Sequence, residues 1–179
     1  MAKLRQLFFY FVLYSVIGWC YEVFLEVVVY QWGFTNRGFL FGPYCPVYGF
    51  GAILFILLFS RLKQRKIHLG PVPITPIVIF LGCMISATLL ELLTSYLMEW
   101  TTGSWPWQTY VNYNYHFQGR IALSPSVRFG LGGVVFLYLI QPLFEALARK
   151  LGDKKLSIVT LCLSIILVVD IIYTIFFRG

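Results

Sequence analysis

Five apolar runs divide the chain, at residues 7–30, 43–60, 74–98, 127–148 and 156–177. Each is long enough, or nearly so, to cross a hydrocarbon core of about 30 Å as a helix of roughly 20 residues. The pattern predicts an all-α, polytopic integral membrane protein. It is expected to be a five-helix transmembrane bundle forming one domain, residues 1–179.

The polar residues inside the runs are spaced like rows on a helix. Ser15, Trp19, Glu22 and Glu26 follow at steps of four, three and four, and Thr88, Glu91, Ser95 and Glu99 at three, four and four. Each set makes one stripe along a helix face. At about 1.5 Å per residue, Glu22 lies roughly 5 Å and Glu91 roughly 7 Å outward of the middle of its run. A carboxylate near the bilayer centre costs about 2.5–3.5 kcal/mol even on insertion scales, so such stripes turn away from lipid. Glu22 and Glu91 are therefore expected to face the interior and each other. Glu26, Glu99 and Asp170 lie nearer the outer ends, where solvation or pairing satisfies them.

Between the first two runs stands "NRGFLFGPYCPVYGFGA", residues 36–52, with Arg37, four glycines and two prolines. Pro43 and Pro46 interrupt helix, and Gly38, Gly42, Gly49 and Gly51 relax the backbone. Non-helical backbone at membrane depth is tolerated only where protein buries it or a watery cavity needs it. Residues 37–48 are expected to dip back into the bundle, carrying Arg37 and free N–H groups towards Glu22 and Glu91; an ordinary interfacial turn is the alternative. The other long outer segment, 100–126, holds Trp100, Trp105, Trp107, Tyr110, Tyr113 and Tyr115. These rings read as an interfacial aromatic belt or as a lid over a polar cavity.

Composition agrees with the pattern. The chain is 59% hydrophobic and 12% charged, where a soluble domain carries about a quarter charged residues. A basic start and an apolar run resemble a signal peptide, but no small-residue cleavage site follows, so a retained first span is expected. The net charge of +7 changes the picture only through its placement. Ten of the fourteen basic residues fall at Lys3 and Arg5, at 61–66 and at 149–155. That asymmetry predicts the N-terminus inside and the C-terminus outside, with anionic lipid as the partner and no nucleic acid. Arg37, Arg120 and Arg128 fall on the outer side with the five acids, which leaves two acids to be protonated, hydrated or matched by an outside cation. Cys20, Cys45, Cys83 and Cys162 read as small apolar packers, and two histidines give no metal spacing. No Walker-type loop occurs, so no cofactor or metal is expected and any ATP hydrolysis belongs to another chain. The "GLGG" at 130–133 permits close helix packing, and no internal repeat is seen.

"GWCYE" (18–22), "NRGFLFGPYCPVYGFGA" (36–52), "LE" at 90–91, "ME" at 98–99 and "GRIAL" (119–123) resemble the CmpB / transmembrane protein 229 family over about residues 8–142. Its bacterial members carry an ABC-transporter permease label. The resemblance implies a small multi-pass protein of the plasma (bacterial cytoplasmic) membrane. Carried over by position, its polar residues are Glu22, Asn36, Arg37, Glu91, Glu99 and Arg120. The chain departs before Arg120, where "WPWQTYVNYN" (105–114) stands in place of the family's Trp-Asp-Tyr-Ser, and Ala122 stands for a cysteine.

The leading expectation is a transport component that binds a small polar or cationic solute, with a separate ATPase subunit, an ion gradient or a homo-oligomer completing it. Its substrate-binding set is Trp19, Glu22, Glu26, Asn36, Arg37, Tyr48, Glu91, Glu99 and Arg120. One alternative is an intramembrane enzyme on a lipid-linked or glycosylated head group, with Glu22 and Glu91 as the catalytic carboxylates. The other is a lipid-binding or assembly scaffold whose ion pairs only fix the helices.

Overall fold

The computed structural model describes residues 2–36, 38 and 40–178. Among these described residues, four helices are long and apolar enough to cross a membrane: α1 (Ala2–Val29), α2 (Pro46–Lys63), α3 (Thr75–Thr102) and α4 (Leu123–Phe177). The chain is an all-α, multi-pass membrane protein. The count corrects the expectation of five. The runs 127–148 and 156–177 fall in one helical element of 55 residues, whose two arms meet at a kink at Gly152. The connector "RKLGDKK" continues the helix because Arg, Lys and Leu are strong helix formers and no proline interrupts them. Only Gly152 leaves helical geometry, at φ 69° and ψ 167°, a conformation that glycine adopts without Cβ strain.

Apolar side chains line much of the helix surfaces. Leu93, Leu97, Leu139 and Ile158 are all more than half exposed. An apolar exterior of this kind is stable in a hydrocarbon solvent and not in water. Two helices also carry a π turn, Leu25–Val29 at the end of α1 and Phe136–Ile140 within α4.

The chain divides into two compact units. The first comprises Met1–Leu54 and Pro142–Gly179. In it α1 meets α2 where glycine removes the side chain: a methyl on Gly18 would overlap the Tyr48 ring, and one on Gly49 would overlap Ser15 and Phe11. Phe11 packs edge-on to Phe50 at 4.9 Å, and Tyr14 meets Phe144 at 4.8 Å. The segment after α1 turns back along that helix. Leu40, Tyr44 and Cys45 are buried, and the Cys45 amide donates to the Ser15 carbonyl at 2.8 Å. Ser15 lies fourteen residues before the end of α1 at Val29, about 21 Å along the helix axis.

The second unit is Phe55–Gln141. Its core is Ile79, Cys83 and Leu137, with Phe55, Phe59, Leu62 and Val134 packed around them. Gly133 lets α4 approach Cys83 of α3. Two short antiparallel hairpins complete it. Strands β1 (His68–Leu69) and β2 (Val72–Pro73) follow the basic 61–66 segment, and β3 (His116–Phe117) pairs with β4 (Ile121–Ala122) before α4.

Candidate binding site

The first unit contains a cavity of about 550 Å³ lined by Glu22, Gly38, Leu40, Cys45, Pro46, Val47, Tyr48 and Ile171. Helix α1 supplies the acid, the returning segment and the first turn of α2 supply most of the wall, and α4 supplies Ile171. The lining is mostly apolar, and Glu22 is the ionisable carboxylate in it. The Tyr48 hydroxyl donates to Glu22 Oε1, because α2 begins beside the middle of α1 and Gly18 leaves room for the ring. One stripe residue earlier, Trp19 Nε1 donates to Asn36 Oδ1 at 2.8 Å. Asn36 Nδ2 in turn donates to the Phe41 carbonyl at 2.8 Å, so the indole and the amide shape the segment that walls the cavity.

Glu26 is 3% exposed and sits in the π turn of α1. Its Oε1 accepts from the Thr35 hydroxyl at 2.6 Å and its Oε2 from the Thr35 amide at 3.3 Å. Of the solvation or pairing expected for Glu26, the structure shows pairing: it is a buried acceptor for the chain leaving α1. Thus Trp19, Glu22, Glu26, Asn36 and Tyr48 all fall in one unit. Arg37 lies outside the described residues.

Asp170 was the residue that spacing undervalued. It lies on α4, and its carboxylate accepts from the Phe41 amide at 3.1 Å, the Gly42 amide at 2.8 Å, the Tyr44 hydroxyl and the Thr174 hydroxyl at 3.3 Å. Burial and the bond to Asp170 push the Tyr44 phenol above its ordinary range, which keeps it a donor. An acid in an apolar run was the available signal. Its partners Phe41, Gly42 and Tyr44 were not legible, since they lie 129, 128 and 126 residues earlier in the chain.

Glu91, Glu99 and Arg120 belong to the second unit. Tyr110 donates to Glu91 Oε1 at 2.8 Å, while Glu91 Oε2 is buried with no partner among the described residues. Burial first, then Glu91, raises the Tyr110 phenol above its usual range. Arg120 is 6% exposed. Its guanidinium pairs with Glu99 and lies 4.1 Å from the Tyr96 ring and 4.0 Å from the Trp105 ring. The residue is delivered by a tight turn in which Gln118 and Gly119 take positive φ and the Arg120 amide donates to the Phe117 carbonyl at 2.9 Å. Trp105 and Trp107 donate their indole N–H groups to the carbonyls of Gly119 and Arg120, at 3.2 and 2.9 Å. These two rings are thus tied to the hairpin backbone. Among the described residues no cluster of three or more His, Cys, Asp or Glu side chains could hold a metal ion.

A family model described as "Putative ABC-transporter type IV", the CmpB family, matches residues 9–175. The chain belongs to this family. No curated protein and no solved structure matches it. The CmpB match runs well past the stretch 8–142 on which the sequence motifs rest, and it takes in Asp170 and the second arm of α4.

Proposed function

We propose that this CmpB-family chain is the membrane-embedded component of a transporter, and that the Glu22 cavity binds a small organic cation or polar solute. The observation that carries the reading is a half-buried carboxylate facing an apolar cavity of about 550 Å³, with a phenol as its hydrogen-bond partner. Apolar walls with a few convergent polar groups are the usual make-up of a small-molecule site. A carboxylate in such walls favours a positively charged guest, and the Tyr48 phenol adds cation–π or hydrogen-bonding capacity. The returning segment 40–45 supports a re-entrant wall at membrane depth, as backbone there must be protein-covered. Glu91, beside Tyr110 in the second unit, is a second intramembrane acid and a further functional candidate in its own right. The chain has no nucleotide-binding loop, and the family description supports a separate ATPase subunit as the source of energy.

The test is a thermal-shift screen of the purified protein against small primary, tertiary and quaternary ammonium compounds, followed by uptake of each stabilising compound into cells that express the chain. Glu22→Gln is expected to abolish the stabilisation and the uptake while leaving the unliganded melting temperature within a few degrees. Uptake that survives both Glu22→Gln and Glu91→Gln refutes the assignment. Loss of folding without any ligand phenotype would favour a scaffold instead.

A further inference from the structure

Among the described residues, the cavity wall formed by the Gly-Pro segment has no regular secondary structure of its own between Tyr30 and Pro46. Something outside that segment must therefore fix it. Glu26 of α1 holds its beginning at Thr35, and helix α4 provides the carboxylate on which residues 41–44 converge. Asp170 Oδ1 accepts from the Phe41 amide and the Thr174 hydroxyl, and Oδ2 accepts from the Gly42 amide and the Tyr44 hydroxyl. Two successive backbone N–H groups and two hydroxyls address one anion, a geometry that only an ionised carboxylate satisfies on both oxygens. Phe41 also packs edge-on to Tyr173, at 4.8 Å, so the attachment has an apolar flank on the same face of α4. Ile171, the next residue, lines the cavity together with Leu40 and Cys45 on either side of the attachment point.

We propose that Asp170 is the positioning residue of the Glu22 cavity: its carboxylate latches residues 41–44 to α4 and so holds the wall closed around Cys45. The inference rests on the cavity reading only for what the wall encloses; the latch itself is a property of the fold. Releasing it frees the Phe41–Tyr44 backbone, swings the Cys45 side of the segment outward and opens the wall next to Glu22. A passive filler at position 170 would leave the segment where it is.

The internal reporter is Cys45, which is 5% exposed, with Cys83, 0% exposed in the other unit, as a control for general loosening. The purified full-length protein in detergent micelles is treated with N-ethylmaleimide, and labelling of each cysteine is followed by peptide mass spectrometry. Asp170→Asn keeps the shape but turns an amide N–H₂ towards two of the donors. It is expected to raise the Cys45 labelling rate about tenfold or more, the change in a local opening equilibrium when a hydrogen bond to a charged group is lost. Cys83 should stay unlabelled, and Asp170→Glu, which retains both acceptor oxygens, should restore most of the protection. A Cys45 rate in Asp170→Asn equal to that of the unaltered protein overturns the latch. If Asp170→Asn also exposes Cys83, Tyr44→Phe decides, because it deletes one donor and no charge: a rise at Cys45 alone supports the latch, and no rise overturns it. Neither measurement contains a cargo molecule, so a failed ligand screen leaves the latch standing, and a failed latch leaves the cation reading standing.

Discussion

Arg120 offers the sharpest stability prediction, because its surroundings can be weighed group by group. Truncation in Arg120→Ala removes two ring contacts, to Tyr96 at 4.1 Å and Trp105 at 4.0 Å. A cation over an aromatic face is worth about 0.5–1 kcal/mol when exposed and about 2 when desolvated. Arg120 is buried while Tyr96 is exposed and Trp105 half-buried, so each contact falls at about 1–2 kcal/mol. The ion pair adds about 0–1 kcal/mol, since the Glu99 side chain is 44% exposed and rehydrates when left alone. The total loss is about 2–5 kcal/mol, or about 5–15 °C in melting temperature for a chain of this length. Arg120→Lys keeps the charge but not the flat face that fits between two rings, and should cost about half as much. Glu99→Gln leaves an amide oxygen to accept from the guanidinium and should cost least, about 1 kcal/mol or under. Thermal unfolding of the purified protein, followed by tryptophan fluorescence, reads all three. An Arg120→Ala variant within about 0.5 kcal/mol of the parent would refute the reasoning, as this is the range of an unremarkable surface change. So would an order in which Glu99→Gln is the worst.

Three further outcomes are expected. Tyr110→Phe deprives Glu91 of its hydrogen-bond partner among the described residues and should destabilise by about 1–3 kcal/mol, whereas Glu91→Leu combined with Tyr110→Phe should recover much of that loss; melting curves of the single and double variants check this. Gly18→Ala drives a methyl into the Tyr48 ring and should cost about 1–3 kcal/mol, with a loss of cation-induced stabilisation in the same thermal assay because Tyr48 is displaced from Glu22. Tyr44 and Tyr110 have phenols raised above the free value of about 10, chiefly by burial. Below that pH both states hold the proton and the stability is fully present. As pH rises above it the unfolded phenols ionise first and stability falls, so melting temperature should decline with pH beyond about 10, and less so in Tyr44→Phe.

The stripes at Ser15–Glu26 and Thr88–Glu99 were legible because helical periodicity is a local rule, and the helices carry those residues as expected. The partners of the stripes were not. Position near the outer ends left solvation or pairing open for Glu26 and Glu99; the fold supplies the partners, Thr35 beside a π turn for Glu26 and Arg120 on a hairpin for Glu99. The charged connector at 149–155 prefers helix and continues it on both sides of the kink at Gly152, which the apolar runs alone did not show.

By itself the sequence determined that this chain crosses a membrane, that its apolar runs are helical and which motifs place it in its family. Hydropathy and helix propensity are sums over near neighbours, so they survive without any knowledge of the fold. Only the tertiary structure decided which polar group answers which. Asp170 finds its four donors, Tyr48 finds Glu22, and Arg120 finds its two rings through close packing at places where a glycine, a turn or a broken helix allows approach. Such matches depend on distances of a few ångströms between residues far apart in the chain, and a buried polar atom left unmatched costs enough to select one arrangement.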